Sequence, residues 1–393
     1  MEKVLVLNGS FCEIPLIEEC HKLGYYVYTT GNMPNLCGHR YADKYICADY
    51  SDYEAIHRIV RENGIDHVIT CANDFGSITA AYVDEKKGWG HHDTFANAQL
   101  MHHKDLFKEY MLRNGFPTPT SRGFSDMESA LAFVNSGLDF PLIIKANDLT
   151  GGKGITRANT VPEAVAALEL AFKMSRSKHV VIEEFIVGEQ QTFVTFLRNR
   201  KVIAHTGCDS YSYVNPYLIQ LETLPANGLD VIRGRLVELI EEMAEDLRLA
   251  DGIFAVQYVR NGSEFHIFEM MRRPFGNQFL RLVEDCTDFP WHLAQITAET
   301  GGDWNLVKRK PVVWPYCGHF GVMTRANGKV ASISIPADIR NHVIREFQMK
   351  GVGDEIRDYR NERVTYLHFA YDNYEEMAAA ASRMFERIKV EIV

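Results

Sequence analysis

The sequence lacks any long apolar run. No segment reaches the roughly 18 consecutive apolar residues that a membrane-spanning helix requires. The first apolar stretch, residues 4–7, is too short for a secretory signal peptide and is typical of a buried first strand. We therefore expect a cytoplasmic protein without a membrane partner.

Positively charged residues are also fewer than negatively charged ones. The chain has 42 Lys and Arg against 52 Asp and Glu, a formal net charge of −10. This balance disfavours a nucleic-acid partner across the whole surface, although a local basic pocket is still compatible with it. The 393 residues and the 46% hydrophobic content are ample for two or three packed domains.

Patterns for disulfide frameworks and zinc sites are absent. The 8 cysteines form no C-x-x-C pair and no zinc-like spacing, so we expect buried thiols of a reducing compartment. The pairs His91-His92 and His102-His103 have no partner at ligand spacing, and we expect structural or surface roles for them.

Strand and helix signals alternate over the first hundred residues. The pattern predicts a parallel sheet with helices on both faces. Ligands of such sheets lie at the carboxyl ends of the strands, here near Asn8–Ser10 and Cys71–Asp74. Later, amphipathic patterns predict helices at residues 104–114, 127–135, 233–247 and 374–388, and strands in hairpins at 192–205 and 253–271.

A glycine-rich, basic segment follows the apolar stretch 142–144. Lys145 ends that predicted strand, and Gly151-Gly152-Lys153-Gly154 comes shortly after it. Glycines allow positive φ and a close backbone approach, so successive N–H groups can point at an anion. The run matches neither G-x-x-x-x-G-K-[ST] nor G-x-G-x-x-G, and alone it is equally compatible with a surface turn.

A candidate cation site is predicted on the hairpin at 253–271. A two-residue loop at Asn261-Gly262 would place Gln257 and Glu269 on opposite faces of the sheet. A three-residue loop at 261–263 would make them diagonal neighbours on one face, where two oxygen ligands can share Mg²⁺ with phosphates. The flanking residues look buried on both sides, which favours a cation partner for Glu269.

The order of these motifs resembles the ATP-grasp superfamily. Lys104 is followed by GFPTP, PLIIK, TGGKGI, VIEEFIVG, FAVQY and FEMMRR, and the resemblance runs from about residue 1 to the C-terminus. It implies an α/β fold with a Rossmann-like, parallel-sheet pre-ATP-grasp domain at 1–100. An ATP-grasp core at 101–310 would follow, with two subdomains and a lid at about 118–187. A small α+β domain at 311–393 would complete the chain.

The resemblance also implies site residues, matched position by position. Ten residues would bind the cofactor ATP: Lys104, Lys145, Gly151, Gly152, Lys153, Gly154, Glu183, Glu184, Ile186 and Gln190. The stretch at 183–186 would line the adenine edge, largely through an open strand backbone. Gln257 and Glu269 would bind Mg²⁺ (or Mn²⁺). Arg273, assisted by Arg272 and Lys145, would steady the transferred phosphoryl group or the activated carboxylate.

Three positions depart from the family's pattern. Gln190 stands where a ribose-binding carboxylate is frequent, although an amide can still accept a hydroxyl. Met271 replaces a second oxygen ligand of Mg²⁺. Asn8-Gly9-Ser10 lacks the richer glycine run that many relatives carry.

The carboxylate–amine ligase branch, close to carbamoyl-phosphate synthase, resembles the chain most. It implies ATP-dependent activation of a small-molecule carboxylate as an acyl phosphate, which an amine then attacks to give an amide or peptide bond. Two alternatives stay open: activation of bicarbonate or carbamate, and a nucleotide-binding module without turnover. The resemblance also implies a possible homodimer. His205, Asp209 or Tyr211 are candidates for substrate contacts, within the Tyr-rich segment 206–224.

Overall fold

The N-terminal part of the chain alternates strands and helices. In the computed structural model, which describes residues 1–149 and 152–393, the elements follow the predicted order. They are β1 (Lys3–Leu7), α1 (Ile14–Lys22), β2 (Tyr26–Gly31), β3 (Lys44–Cys47), α2 (Tyr53–Asn63), β4 (His67–Ile69), α3 (Asp74–Lys87) and α4 (Phe95–His102). The four strands pair in parallel in the order β3-β2-β1-β4, which confirms the prediction for this sheet.

Strand β1 is buried on both faces. Val4 and Val6 pack with α1 and with Ile296 of a later helix, Trp291–Thr300. Leu5 and Leu7 pack on the other face against α2 and α3. Because successive side chains of a strand point to opposite faces, a continuous apolar run suits this two-sided burial.

The next unit is a small sheet covered by helices. It contains α5 (Lys104–Arg113), β5 (Ser121–Phe124), α6 (Met127–Val134), β6 (Leu142–Ala146), β7 (Ile155–Ala158), α7 (Val161–Met174) and β8 (Val180–Glu184). Its strands are antiparallel in the order β5-β8-β6-β7. Apolar residues of α6 and α7 pack on one face of this sheet, which leaves the other face for the cavity described below.

The rest of the chain forms a larger antiparallel sheet, a small three-stranded sheet and the helices that pack on them. Its elements begin with β9 (Glu189–Arg198), β10 (Lys201–Tyr211), β11 (Leu221–Leu224), α8 (Leu229–Asp246), β12 (Gly252–Asn261) and β13 (Glu264–Met271). They continue with α9 (Phe279–Cys286), α10 (Trp291–Thr300), β14 (Tyr316–Val322), β15 (Gly328–Ser334), α11 (Ala337–Arg340), β16 (Val343–Gln348), β17 (Glu355–Ile356), β18 (Thr365–Tyr371), α12 (Tyr374–Arg387) and β19 (Lys389–Ile392).

Eight of these strands form one sheet in the order β13-β12-β9-β10-β11-β14-β18-β16, and β17-β15-β19 form a smaller one. The eight-stranded sheet crosses residue 310, since β11 pairs directly with β14. The boundaries expected near residues 100 and 310 stay predictions. Among the described helices, none has both the length and the apolar content to cross a membrane.

The observed register of the β12–β13 hairpin differs from the predicted one. Its loop is Gly262-Ser263, because Asn261 already pairs with Glu264, so neither loop considered from the sequence is correct. Tyr258 pairs with Ile267, and the next pair is Gln257 with Glu269. Phe268 is therefore the extra residue of a β-bulge, which brings Gln257 and Glu269 directly opposite each other rather than diagonally.

Candidate active site

A cavity of about 770 Å³ lies between the small antiparallel sheet and the eight-stranded sheet. Its lining includes Asn73 and Asp74, at the carboxyl end of β4, which agrees with the expected ligand edge of the parallel sheet. The lining also includes ten of the predicted residues: Lys104, Lys145, Gly152, Glu183, Glu184, Ile186, Gln190, Gln257, Glu269 and Arg273. Residues distant in sequence thus converge on one concave space, as ligand sites do.

Two lysines share one buried carboxylate in this cavity. Lys145, at the end of β6, donates to Glu183 Oε1 at 2.9 Å, and Lys108 Nζ lies 3.2 Å from Glu183 Oε2. Burial alone would raise the pKa of Glu183, but the charges of Lys108 and Lys145 outweigh it and lower that pKa. Burial lowers the pKa of Lys108 to about 8, with Glu183 opposing the shift. Glu183 therefore holds Lys145 in place and stays ionised.

Lys104 begins α5 beside the glycine-rich loop. Its ammonium donates to the Leu149 carbonyl at 2.8 Å. Asp105 and Asn147 exchange two hydrogen bonds, of 2.9 and 2.8 Å, between the start of α5 and the residues after β6. Lys104 is thus held at the wall of the cavity.

Two glycines of the loop, among the described residues, have the backbone geometry that the sequence predicts. Gly152 has φ +73° and Gly154 has φ +65°, both in the left-handed region. A Cβ on Gly152 would lie 2.5 Å from the Tyr217 carbonyl oxygen, so this position needs glycine for close packing as well. Lys153 is exposed, and neither it nor Gly154 is part of the cavity lining. The predicted ligand Gly151 lies outside the described residues.

The expected open strand edge at the adenine position is not found. Strand β8 runs between β5 and β6, so Glu183 is paired on both sides. The N–H groups of Glu184 and Phe185 donate to Thr120 and Pro141 carbonyls. Ile186 follows the end of β8 and lines the cavity, so backbone contacts to a base are better placed there than on the strand.

The bulged hairpin presents an amide and a carboxylate to the cavity. Gln257 and Glu269 are opposite each other and both line the cavity, together with Gln190 and the buried Met271. The described residues contain no group of three or more His, Cys, Asp or Glu arranged to hold a metal by themselves. One carboxylate and one amide oxygen fit a Mg²⁺ ion whose remaining ligands are phosphate oxygens and water, which is how Mg²⁺ is commonly held.

The two adjacent arginines have different surroundings. Arg273 lines the cavity and donates to Asp74, which also faces His102 at 3.3 Å. Burial opposes the charge of Arg273, but Asp74 outweighs it and raises the arginine's pKa. Arg272 instead binds Asp93 at 2.8 Å and the carbonyls of Ile253 and Ala250, away from the cavity. The structure therefore brings Arg273 to the site and gives Arg272 a bracing role.

Part of the chain matches a known family model. Residues 102–215 match the ATP-grasp (A) domain of phosphoribosylglycinamide synthetase. Phosphoribosylamine–glycine ligase of Ralstonia nicotianae is 36% identical over 115 residues, which are 28% of this chain and 27% of that protein. The Streptococcus pneumoniae ligase of the same name is 40% identical over 113 residues, 28% of this chain and 26% of that protein. The matched segments thus span about a quarter of these relatives.

Solved structures match over the whole chain. Phosphoribosylglycinamide synthetase from Anaerococcus prevotii has a TM-score of 0.76 at 17% identity, covering 100% of both chains. The L-amino acid ligase from Bacillus licheniformis has a TM-score of 0.79 at 16% identity, covering 100% of this chain and 99% of that one.

The chain has the ATP-grasp fold. The biotin carboxylase domain of Hydrogenobacter thermophilus 2-oxoglutarate carboxylase, solved with MgADP, ADP and bicarbonate, shares this fold as well. Its TM-score is 0.77 at 19% identity, with 100% of this chain and 91% of that chain covered. These identities are low, so the likeness establishes the fold.

Several residues of this ATP-grasp cavity escaped the sequence reasoning. They are Asp74 as the partner of Arg273, Arg157, Glu222, Asn277, Arg363 and Tyr366, together with Lys108, which does not line the cavity but pairs with its residue Glu183. Lys108 had a usable signal, since it follows Lys104 by four residues and so lies on the same face of α5. The others have neighbours in space that are far away in sequence.

The Tyr-rich segment contributes to the cavity through only part of its length. Pro216, Tyr217, Leu218 and Ile219 line it, and the Tyr217 hydroxyl accepts from the Arg157 N–H at 2.7 Å. His205, Asp209 and Tyr211, the three candidates for substrate contact, are not among the lining residues. Asp209 instead accepts from Gln191 and the Asn227 N–H, while burial raises its pKa.

Proposed function

We propose that this ATP-grasp protein is an ATP-dependent carboxylate–amine ligase. The observation that carries the proposal is the convergence of Lys145, Glu269 and Arg273 on one cavity. An ammonium, a metal-binding carboxylate and a guanidinium are the groups that phosphoryl transfer to a carboxylate requires, because catalysis of that step is mainly positioning and charge neutralisation.

In the first step a carboxylate oxygen attacks the γ-phosphorus of ATP. The bond to the β,γ-bridging oxygen breaks, and the products are an acyl phosphate and ADP. Lys104 and Lys145 hold the phosphate chain, and Arg273 offsets the charge of the transferring group. Asp74 fixes the guanidinium of Arg273, and Glu183 fixes the ammonium of Lys145. These donors are therefore preorganised before the substrate arrives.

In the second step the amine nitrogen attacks the acyl carbon. A C–N bond forms, the C–O bond to the phosphoryl group breaks, and phosphate leaves. Water would compete in this step, so the glycine-rich loop, packed on Tyr217, has the role of excluding it.

Mg²⁺ would be held by Glu269 and Gln257, and Mn²⁺ suits the same oxygen ligands. When bound, the ion supplies neutralisation of phosphate charge. The biotin carboxylase domain with this fold was solved with MgADP, which supports the use of ATP and Mg²⁺ here. Gln190, which pairs with Val259 across β9 and β12 and lines the cavity, would accept a ribose hydroxyl.

The proposed partners are small molecules, and a homodimer remains a prediction. A cytoplasmic location is compatible with the cysteines, all of which are free thiols.

A coupled screen tests the proposal. The protein would be incubated with ATP, Mg²⁺ and single or paired amino acids, aminosugar phosphates or bicarbonate, and ADP release would be measured. Hydroxylamine would be added in parallel, because it traps an acyl phosphate as a hydroxamate. ADP release that needs both a carboxylate and an amine supports the ligase. Release with bicarbonate alone favours the carboxylating alternative, and nucleotide binding without release favours a non-catalytic module.

A further inference from the structure

The cavity contains a carboxylate that the steps above do not use. Glu222, on β11, lines the cavity although only 5% of its surface is exposed. Its Oε2 lies 2.7 Å from His319 Nε2, and its Oε1 accepts from Ser210 Oγ and Cys208 Sγ, each at 3.3 Å. Both oxygens are thus held by polar groups of neighbouring strands.

The other acidic side chains of the cavity already have their roles. Asp74 is neutralised by Arg273, Glu183 by two lysines, and Glu269 faces the proposed metal position. Glu184 is exposed at the mouth of the cavity. Among the described residues, the hydrogen-bond partners of Glu222 are a hydroxyl, a thiol and an imidazole. Burial and then the Glu222 charge raise the pKa of Cys208 well above its usual value, so that thiol remains a donor.

His319 Nε2 lies between a carboxylate and an amide. Besides Glu222, this atom faces Asn277 Nδ2 at 3.0 Å. The orientation of that amide is fixed, because Asn277 Oδ1 accepts from the Phe279 N–H at 3.0 Å. A protonated Nε2 therefore donates to Glu222, and a deprotonated Nε2 accepts from Asn277. His319 is fully buried and its Nδ1 has no partner among the described residues, which favours a neutral ring with the proton on Nε2.

A neutral His319 leaves Glu222 as a buried anion whose cation must come from a ligand. An uncompensated buried carboxylate is costly, so a cationic group in the cavity is strongly favoured beside it. Asn277 lies four residues beyond Arg273, and both line the cavity. His319 Nε2 thus lies between Glu222 and Asn277, and Asn277 belongs to the segment that begins at Arg273.

The backbone of this segment supports a functional role. Asn277 and Gln278 have φ values of +60° and +54°, in the left-handed region that non-glycine residues rarely adopt. Such strain is kept only where the surroundings enforce it, and it clusters at functional sites. Here the Asn277 N–H donates to Cys12 Sγ, and Gln278 Nε2 donates to the Phe11 carbonyl, so the N-terminal unit fixes the position of Asn277.

We propose that Glu222, positioned by His319, binds the ammonium form of the amine substrate and accepts the proton that the amine must lose before it attacks the acyl phosphate. The inference rests on the proposed ligase activity and assigns its second step. An alkylammonium has a pKa near that of lysine, roughly 10.4, so near neutral pH almost none of it is nucleophilic.

The proton balance is as follows. The ammonium transfers one proton to Glu222, and the free amine forms the C–N bond. The second proton of the nitrogen leaves with the departing phosphate as hydrogen phosphate, which yields a neutral amide. Glu222 returns its proton to solvent when the product leaves.

Two nucleophiles of different protonation state separate this role from phosphoryl transfer. Hydroxylamine is largely uncharged near neutral pH and needs no base, whereas ammonium chloride supplies a protonated nucleophile. With the carboxylate that gives the strongest hydroxamate signal, Glu222→Gln should form hydroxamate within about twofold of the wild-type rate. Its amide formation from ammonium should fall about 100-fold or more, the range of a lost general base. The exposed Glu109→Gln serves as the matched control and should change neither rate.

His319→Gln provides the second variant. As a positioning residue, it should lower the ratio of amide to hydroxamate about tenfold, a ratio that general destabilisation would not change. The inference is overturned if Glu222→Gln keeps wild-type amide formation, or if both variants lose hydroxamate formation as well. It is also overturned if the wild-type protein forms hydroxamate but no amide from ammonium or amino acids. A wild-type protein that forms no hydroxamate at all instead overturns the proposed function.

Discussion

Gln257 and Glu269 form a directly opposed pair across β12 and β13, and the bulge at Phe268 is what aligns them. Phe268 and Glu269 both line the cavity, as expected for the two residues of a bulge that face one partner. The amide and the carboxylate are therefore presented side by side on the floor of the cavity.

This alignment predicts the effect of Glu269→Gln. The substitution keeps the shape of the side chain and removes the negative charge, so Mg²⁺-dependent ADP release should fall by about 100-fold or more, as when other preorganised electrostatic contacts are lost. The midpoint of urea unfolding should hardly change. Glu264→Gln, at the exposed start of the same strand, is the control and should retain activity. Full activity of Glu269→Gln would remove this residue from the metal site.

Gly152→Ala tests the packing of the glycine-rich loop. The new methyl group would meet the Tyr217 carbonyl at 2.5 Å, so the loop cannot keep its position and the KM for ATP should rise about tenfold or more. Gly115→Ala separates the effect of a positive φ from the effect of the clash with Tyr217. Gly115 has a similar φ of +68° but open space around its Cβ position. Both variants should lose about 1 kcal/mol of stability, while only the first should change the KM. An equal change of KM in both would contradict the packing argument.

The lysine pair around Glu183 predicts a dependence of stability on pH. The pKa of Lys108 is lowered from 10.5 to about 8, so between these values the unfolded chain binds more protons than the native protein. The free energy of unfolding should therefore rise with pH in this window, whereas below about pH 8 the charged ammonium is buried at full cost.

Comparison with Lys108→Met isolates that contribution. Relative to this variant, the wild-type protein should gain about 2 kcal/mol between about pH 7 and about pH 9.5. Urea unfolding at both pH values measures the difference. Lys173→Met, at an exposed site, should show no such pH-dependent difference from the wild type. A constant difference between wild type and Lys108→Met would mean that the pKa of Lys108 is ordinary.

Arg272→Ala separates the two neighbouring arginines. Removal of Arg272 leaves the side chain of Asp93 buried without its ion-pair partner, so the free energy of unfolding should fall by about 3–5 kcal/mol. The Kd for ADP, measured by calorimetry below the unfolding transition, should stay within about twofold, since Arg272 lies outside the cavity. Arg235→Ala, in an exposed pair with Glu238, should change neither quantity. Much weaker ADP binding by Arg272→Ala would mean that Arg272 contributes to the nucleotide site.

The local sequence patterns were sufficient to predict most helices and strands and the order of the site segments along the chain. The helix predicted at residues 374–388 is found as α12, Tyr374–Arg387, where the Asn373 side chain caps its start. Local rules work there because capping and helical periodicity depend on residues within one or two turns. They fail for Lys108, because its burial beside Glu183 depends on a strand that is distant in sequence.

The sequence by itself determined the elements, the glycine positions of the loop and the resemblance to ATP-grasp proteins, because these depend on residue type and local spacing. Only the tertiary structure decided that Glu269 faces Gln257, that Arg273 and not Arg272 enters the cavity, and that Glu222 meets His319. Register, bulges and pairs between distant strands depend on how whole sheets pack, and no local pattern encodes that packing.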